Sequence, residues 1–335
     1  MKIKILLAVI CCAAAVVLGV AIGSVNIPPA DVLRSIGHNA FGLSLPEHIT
    51  ANRAAIVWNR LPRTLLALIA GATLSVSGAV MQSVLRNPLA SSYTLGVSSG
   101  ASLGASLVIF LGVALPFLPF LTLPILGFVF GLGTILIVMT IARQLDVRME
   151  NQTIILTGMV FSLFINAITT MMFALFREST QRMVLWQMGS FSMMGWNTVY
   201  ILAPIAFVGI VFIARYKLEL DVMTFGEEQA QTIGVNIKTV KLVLLITAAA
   251  LTGSTIAFVG VIGFVDLVAP HVVRKIFGAS HKYVIPMSAV VGGTFMVLAD
   301  IAARTITSPV ELPVGAVTAI IGAPFFAYIY FSRRK

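Results

Sequence analysis

"ILGFVFGLGTILIVMTIA", residues 125–142, decides the class of this protein. The stretch has no charge and no apolar–polar alternation, so it does not fit a strand with one wet face. Its length approaches the roughly 20 residues that cross a bilayer as a helix. The same texture recurs along the chain. Of 335 residues, 59% are hydrophobic and only 10% are charged, against about 25% charged in a soluble domain. A water-soluble core cannot hide that much apolar surface. The 27 glycines and 14 prolines fit helices in lipid, where both are more frequent than in soluble helices. The expected fold class is an all-α polytopic membrane protein, with one transmembrane domain over residues 1–335.

The apolar runs predict about ten helices: 5–23, 62–85, 94–113, 121–142, 153–175, 197–214, 241–259, a short 260–273, 284–303 and 312–331. The seventh and eighth are nearly continuous through Gly260 to Gly263. The apolar core of the N-terminal run, Ile5 to Ile22, is longer than the roughly 7–15 residues of a signal peptide, so it reads as a transmembrane helix. With the N-terminus in the cytoplasm, fifteen of the 22 lysines and arginines fall on the cytoplasmic side, Arg333, Arg334 and Lys335 among them. The seven outside are all arginine. This places both termini in the cytoplasm by the positive-inside rule. The net charge of +10 then reflects topology, with no basic patch that would bind nucleic acid. Cys11 and Cys12 are adjacent and have neither metal nor disulfide spacing.

The connections carry their own signals. The extracytoplasmic loop 24–61 contains "IPPADVLRSIG", whose prolines, early acid and glycine predict a short surface helix ending at Gly37. The cytoplasmic loop 215–241 is the most polar part of the chain and holds Glu219, Asp221, Glu227 and Glu228. Within it, 226–234 fits a short helix: Gly226 starts it, Glu227 and Glu228 favour the positive end of its dipole, and Gly234 closes it. "RNPLASSYTLG", 86–96, reads as a tight cytoplasmic turn, with Pro88 ending a helix. "LIAGATLSVSGAVMQSVLRNPLA" and "LITAAALTGSTIAFVGVIGFVDLVAP" echo each other weakly and cross in opposite directions, a weak inverted repeat.

Catalytic signals are missing. No glycine is followed by lysine, so there is no phosphate-binding loop for ATP. His38, His48, His271 and His281 lack ligand spacing, and no hydrolytic constellation stands out. Asp300 and Glu311 near the outer boundary are read as partners of Arg304, and Asp266 as an acid in a glycine-rich break. The pairs Gly19/Gly23, Gly100/Gly104 and Gly127/Gly131 suit close helix packing.

Four stretches together resemble one family: "RLPRTLLALIAGATLSVSGAVMQSVLRNPLA" (60–90), "LGVSSGASLGA" (95–105), "GFVDLVAPHVVR" (263–274) and "ELPVGAVTAIIGAPFFAYI" (311–329). They resemble FecCD-type permease subunits of type II ABC importers for iron–siderophores, haem and cobalamin. "GEEQAQTIGV" (226–235) is similar to that family's cytoplasmic coupling segment. The resemblance implies a non-enzymatic transport subunit in the cytoplasmic membrane of a bacterium or archaeon. Its partners would be ABC ATPase subunits holding ATP and Mg, an extracytoplasmic binding protein, and a second permease copy or paralogue. The chain itself would bind no cofactor. Arg60, Arg63 and Arg304 would dock the binding protein. Asn87, Leu89, Asn151 and Gln152 would form the cytoplasmic gate, with ordinary loop capping as the other reading. Gly226, Glu227, Glu228, Gln229, Ala230 and Gly234 would couple to the ATPase. The cargo would be an iron chelate, a ferric siderophore first, with haem or cobalamin as the alternative.

Two positions depart from the family pattern. Ser91-Ser92-Tyr93 stands where an acid or small residue and a proline are common, and Asp266 stands where glycine is common. Two rivals of other classes are an ion-coupled secondary transporter and a membrane-embedded enzyme. The scarcity of mid-span charge argues against the first. The lack of a nucleophile or metal constellation argues against the second.

Overall fold

The computed structural model describes residues 1–23, 25–192 and 194–332, with backbone only at 329–332. Arg333, Arg334 and Lys335 lie outside the described residues. Those described form α-helices and short 3-10 turns, with no strand among them.

The central element is α3 (Ala51–Val84), 34 residues and so about 50 Å long. It begins three turns before the expected residue 62. The hydroxyl of Thr50 accepts a hydrogen bond from the Arg53 amide and caps it there. Its early turns also have a core to bury: Val57 and Leu61 join Val20, Ile27 and Val32 in one cluster. The expected loop 24–61 is therefore largely helical. It holds α2 (Pro29–Phe41) and the start of α3. α2 runs through Gly37 and ends at Gly42, in the left-handed region at φ 69°. A mid-helix glycine costs about 1 kcal/mol without ending the helix, whereas a left-handed glycine satisfies the last carbonyls.

Around α3 pack α1 (Lys2–Ala21), α8 (Trp196–Arg215), α11 (Ile237–Val259), α12 (Val265–Phe277) and α13 (His281–Thr305). α3 and α13 touch so closely that a Cβ on Gly71 would fall 2.2 Å from the carbonyl oxygen of Gly292. A second group comprises α4 (Val97–Leu111), α5 (Thr122–Leu145) and α6 (Asn151–Leu175). Gly100 and Gly104 of α4 lie against the Phe130 and Leu126 carbonyls of α5, the bundle packing expected of small-residue pairs. α11 contacts α3, α4 and α5 and joins the two groups. The remaining helices are α7 (Thr180–Gln187), α9 (Lys217–Met223), α10 (Glu227–Thr232) and α14 (Val314–Ser332).

Seven of the described helices are long and apolar enough to cross a membrane. The other three expected spans correspond to α4, α14 and α12, which are shorter. α12 has 13 residues and is about 20 Å long. The seventh and eighth runs are separate helices. Gly260 at φ 77° and Phe264 at φ 69° bound a break between them. Residues 188–190 and the start of α14 pack beside that break. The Ser190 amide donates to the Val259 carbonyl at 2.8 Å, and the Val314 and Gly315 amides donate to Gly189 and Met188, each at 3.1 Å. The two echoing sequences pack on each other, with the Thr73 and Thr255 hydroxyls 2.7 Å apart.

Candidate functional site

The residues singled out in the sequence gather at the two ends of the bundle. At one end, Arg60 and Arg63 of α3 meet Arg304, in the last turn of α13. The apolar sides of α1, α3 and α13 pack on one another, and this brings the guanidinium groups around Asp300. That acid is 1% exposed and lies one turn before Arg304. Arg63 donates from Nε and Nη2 to Asp300, the shortest bond 2.9 Å, and from Nη1 to both oxygens of Glu311 at 2.9 Å. Arg304 Nε lies 3.1 Å from Asp300 Oδ2, and its Nη2 donates to the Gly19 carbonyl at 2.8 Å. Arg60 donates to the Val25 carbonyl at 2.7 Å, its guanidinium seated over Gly23.

The expected pairing is thus reassigned in part. Asp300 pairs with both Arg63 and Arg304, while Glu311 pairs with Arg63. Burial works against the charge on Glu311, yet the Arg63 fork holds its carboxyl below the usual carboxylate range. Glu311 remains 40% exposed. The three arginines and Glu311 line a cavity of about 330 Å³ with Phe191, Met194, Ser308 and Pro309. Such a recess gathers guanidinium edges and one carboxylate on a single wall.

At the opposite end, α3 closes in a Schellman motif. The Arg86 amide donates to the Ser83 carbonyl at 3.3 Å and the Asn87 amide to Gln82 at 3.2 Å, with Arg86 itself at φ 50°. Pro88 follows, and the Asn87 side chain accepts from the Leu89 amide at 2.9 Å. Asn87 therefore caps its own turn, while Leu89 is 43% exposed. Ser91 and Thr94 bond to each other, which holds the chain without proline. Ser92 is buried and its hydroxyl lies 2.8 Å from that of Thr252 in α11. The departure at 91–93 is thus an inward anchor. Asp266 is also accounted for in part: its backbone carbonyl packs on Gly78 and accepts from the Gln82 amide group at 3.0 Å. The residue is buried, at 2% exposure.

Asn151 and Gln152 are the first residues of α6, at the same end. The turn before them is built by Asp146, whose carboxylate accepts from the Arg148 and Glu150 amides at 2.8 and 2.7 Å. Between them lies Met149 at φ 54°.

α10 lies at this end too. Gly226 at φ 139° precedes it and Gly234 at φ 93° follows it. Glu228 and Gln229 are exposed and Ala230 is buried. Glu227 does more than favour the helix dipole, since its carboxylate lies 2.7 Å from Lys241 Nζ. Sequence reasoning missed Lys241 and His281, both buried at this end. The one available signal for Lys241 was a lysine at the start of an apolar run.

The chain matches the model of the FecCD transport family over residues 9–332. It is 41% identical to an ABC transporter permease protein of Bacillus subtilis, YvrB, over 96% of this chain and 92% of that protein. It is 35% identical to the Fe(3+)-citrate import system permease protein YfmE of the same organism, over 95% and 92%. It is 34% identical to the hemin transport system permease protein HmuU of Yersinia pestis, over 82% and 83%. A solved ABC transporter described as metal-chelate type, in an inward-facing conformation, superposes with a TM-score of 0.85 at 27% identity, covering 99% of this chain and all of that one. The chain belongs to the FecCD transport family.

Proposed function

We propose that this chain is the permease subunit of an ATP-driven importer, and that its cargo is an iron chelate. The single observation that carries the coupling half of this reading is the setting of α10. It is a short helix with exposed Glu228 and Gln229, flanked by Phe225 and Ile233, which are 79% and 71% exposed. Two large apolar side chains beside an exposed polar helix mark a surface that a partner covers. Relatives named as ABC transporter and import-system permeases support an ATPase as that partner. Relatives that import ferric citrate support the iron reading. Haem and cobalamin permeases of similar identity make those cargoes the alternative.

On this reading α4, α12 and α14 complete ten spans, both termini face the cytoplasm, and the membrane is that of a bacterium or archaeon. The arginine end faces outward and receives the binding protein. Asn87, Leu89, Asn151 and Gln152 lie at the inner constriction, and a second permease copy or paralogue completes the pathway. ATP and Mg are held by the ATPase.

Co-purification tests the coupling half. An ATP-hydrolysing subunit is expected with the intact chain and is lost in a Phe225→Asp, Ile233→Asp variant. Equal recovery with that variant would reject the α10 interface. Ligand binding by the cognate binding protein, assayed with ferric citrate, ferric siderophores, haem and cobalamin, tests the cargo half.

A further inference from the structure

α9 and α10 pack on each other and, through Leu220, Met223 and Ala230, on the apolar core that also holds Leu85 and Met149; buried polar side chains add direct links at two places. In the first, Lys241 on α11 is only 1% exposed, and its Nζ lies 2.7 Å from Glu227 of α10. The same ammonium donates to the Met149 carbonyl at 3.0 Å. Met149 is the left-handed residue of the turn that leads into Asn151 and Gln152. A buried ammonium cannot give up its partners cheaply, so displacement of Glu227 pulls on that turn.

In the second, Asp221 of α9 accepts from the His281 amide at 2.7 Å and lies 2.6 Å from His281 Nδ1. Burial opposes the charge on Asp221, but the His281 backbone and ring and the Ser280 hydroxyl hold its carboxyl below the usual range. His281 Nε2 lies 2.7 Å from the Ser83 hydroxyl in the last turn of α3. Ser83 also accepts from Arg274 Nη2 at 3.1 Å, while Arg274 Nη1 donates to the Gln82 side chain. The backbone carbonyls of Ser83 and Gln82 are the ones that close the Arg86–Asn87 turn.

We propose that Lys241 and His281 are positioning residues of two separate relays. One ties α10 to the 146–150 turn, and the other ties α9 to the 86–89 turn. The proposal rests on the ATPase-coupling reading above. Each relay is a chain of short bonds between elements that are distant in sequence, and each ends at a different inner turn. The ATPase-facing segment therefore acts on the two turns through two polar linkages, one ending at each turn.

Maleimide labelling in the assembled transporter tests this. Cys11 and Cys12 are first replaced by serine, and single cysteines are placed at the exposed positions Leu89 and Gln152. Labelling rates are compared without nucleotide and with ATP plus vanadate. The parent chain is expected to change rate with nucleotide at both cysteines. Lys241→Met should abolish the change at residue 152 and leave it at 89, and Asp221→Asn with His281→Phe should do the reverse. If Lys241→Met does not assemble with the ATPase, Glu227→Gln, at the part-exposed end of the same relay, must give the same loss. Variants that keep both responses, or that lose both together, would overturn the separate relays. A parent chain whose ATPase binds but whose cysteines never respond would overturn the coupling reading and the relays with it. Relay variants without effect, in a parent that responds, would overturn the relays alone.

Discussion

At the arginine end, Asp300 is shared by two guanidinium groups from different helices, and Arg63 spends its remaining nitrogen on Glu311. At the opposite end, the buried cation Lys241 reaches a carboxylate on one side and a backbone carbonyl on the other, and His281 does much the same between Asp221 and Ser83. The first arrangement is a chain, Arg304–Asp300–Arg63–Glu311, in which one fully buried acid is gripped from two long helices. The second is two linkages, each joining a short helix, α9 or α10, to a turn, and the one through His281 branches at Ser83, which also accepts from Arg274. The first fastens long helices to each other, and the second fastens short helices to turns. The difference lies in what the buried charge joins at each end.

The comparison can be broken most directly at Asp300. Asp300→Ala leaves two largely buried arginines without their shared carboxylate and should cost about 3–5 kcal/mol, read as a large drop in thermal unfolding temperature in detergent. Asp300→Asn should cost less. An unchanged midpoint for the alanine variant would mean that the end is not fastened by charge. At the other end, Ser83→Ala removes one partner each from His281 and Arg274 and should cost about 1–3 kcal/mol. A loss as large as that of Asp300→Ala would erase the contrast.

Thr50→Ala removes the α3 cap and should cost about 1 kcal/mol, with loss of helix in the first turns seen by hydrogen exchange at Ala54. Glu311→Gln should have the smallest effect at neutral pH, about 1 kcal/mol or less, because the acid is partly exposed. Its sign against pH is defined. The folded-state value is lowered, so the stabilisation is complete above the ordinary carboxylate value of about 4.3 and is lost as pH falls through the lowered one. A pH series of unfolding midpoints should therefore show a weaker acid decline in the variant than in the parent. Identical slopes would remove Glu311 from the network.

Much of the fold was legible because uniform apolar runs leave a helix in lipid as the only solution. The helix ends were less so, since local capping and burial decide them. Thr50 set the start of α3 ahead of Arg60, and Gly42 rather than Gly37 ended α2 because only the former has left-handed backbone. The α10 segment could be placed from Gly226 and Gly234, which mark positive φ on either side of a helix too short to show periodicity. Lys241 and His281 could not be found this way. Their partners at Met149 and Ser83 lie 92 and 198 residues away, and spacing along the chain does not encode such contacts. The Arg63–Glu311 pair was hidden for the same reason, as Arg304 is closer in sequence to both acids.

The break after α11 has a further consequence. Residues 188–190 lie between the end of α11 and the start of α14: the Ser190 amide donates to the Val259 carbonyl, and the Val314 and Gly315 amides donate to Gly189 and Met188. A helix standing alone leaves its first amides and last carbonyls without partners. Here the first amides of α14 and the last carbonyl of α11 find theirs in one short segment outside both helices, so a single stretch of loop splices two helix ends.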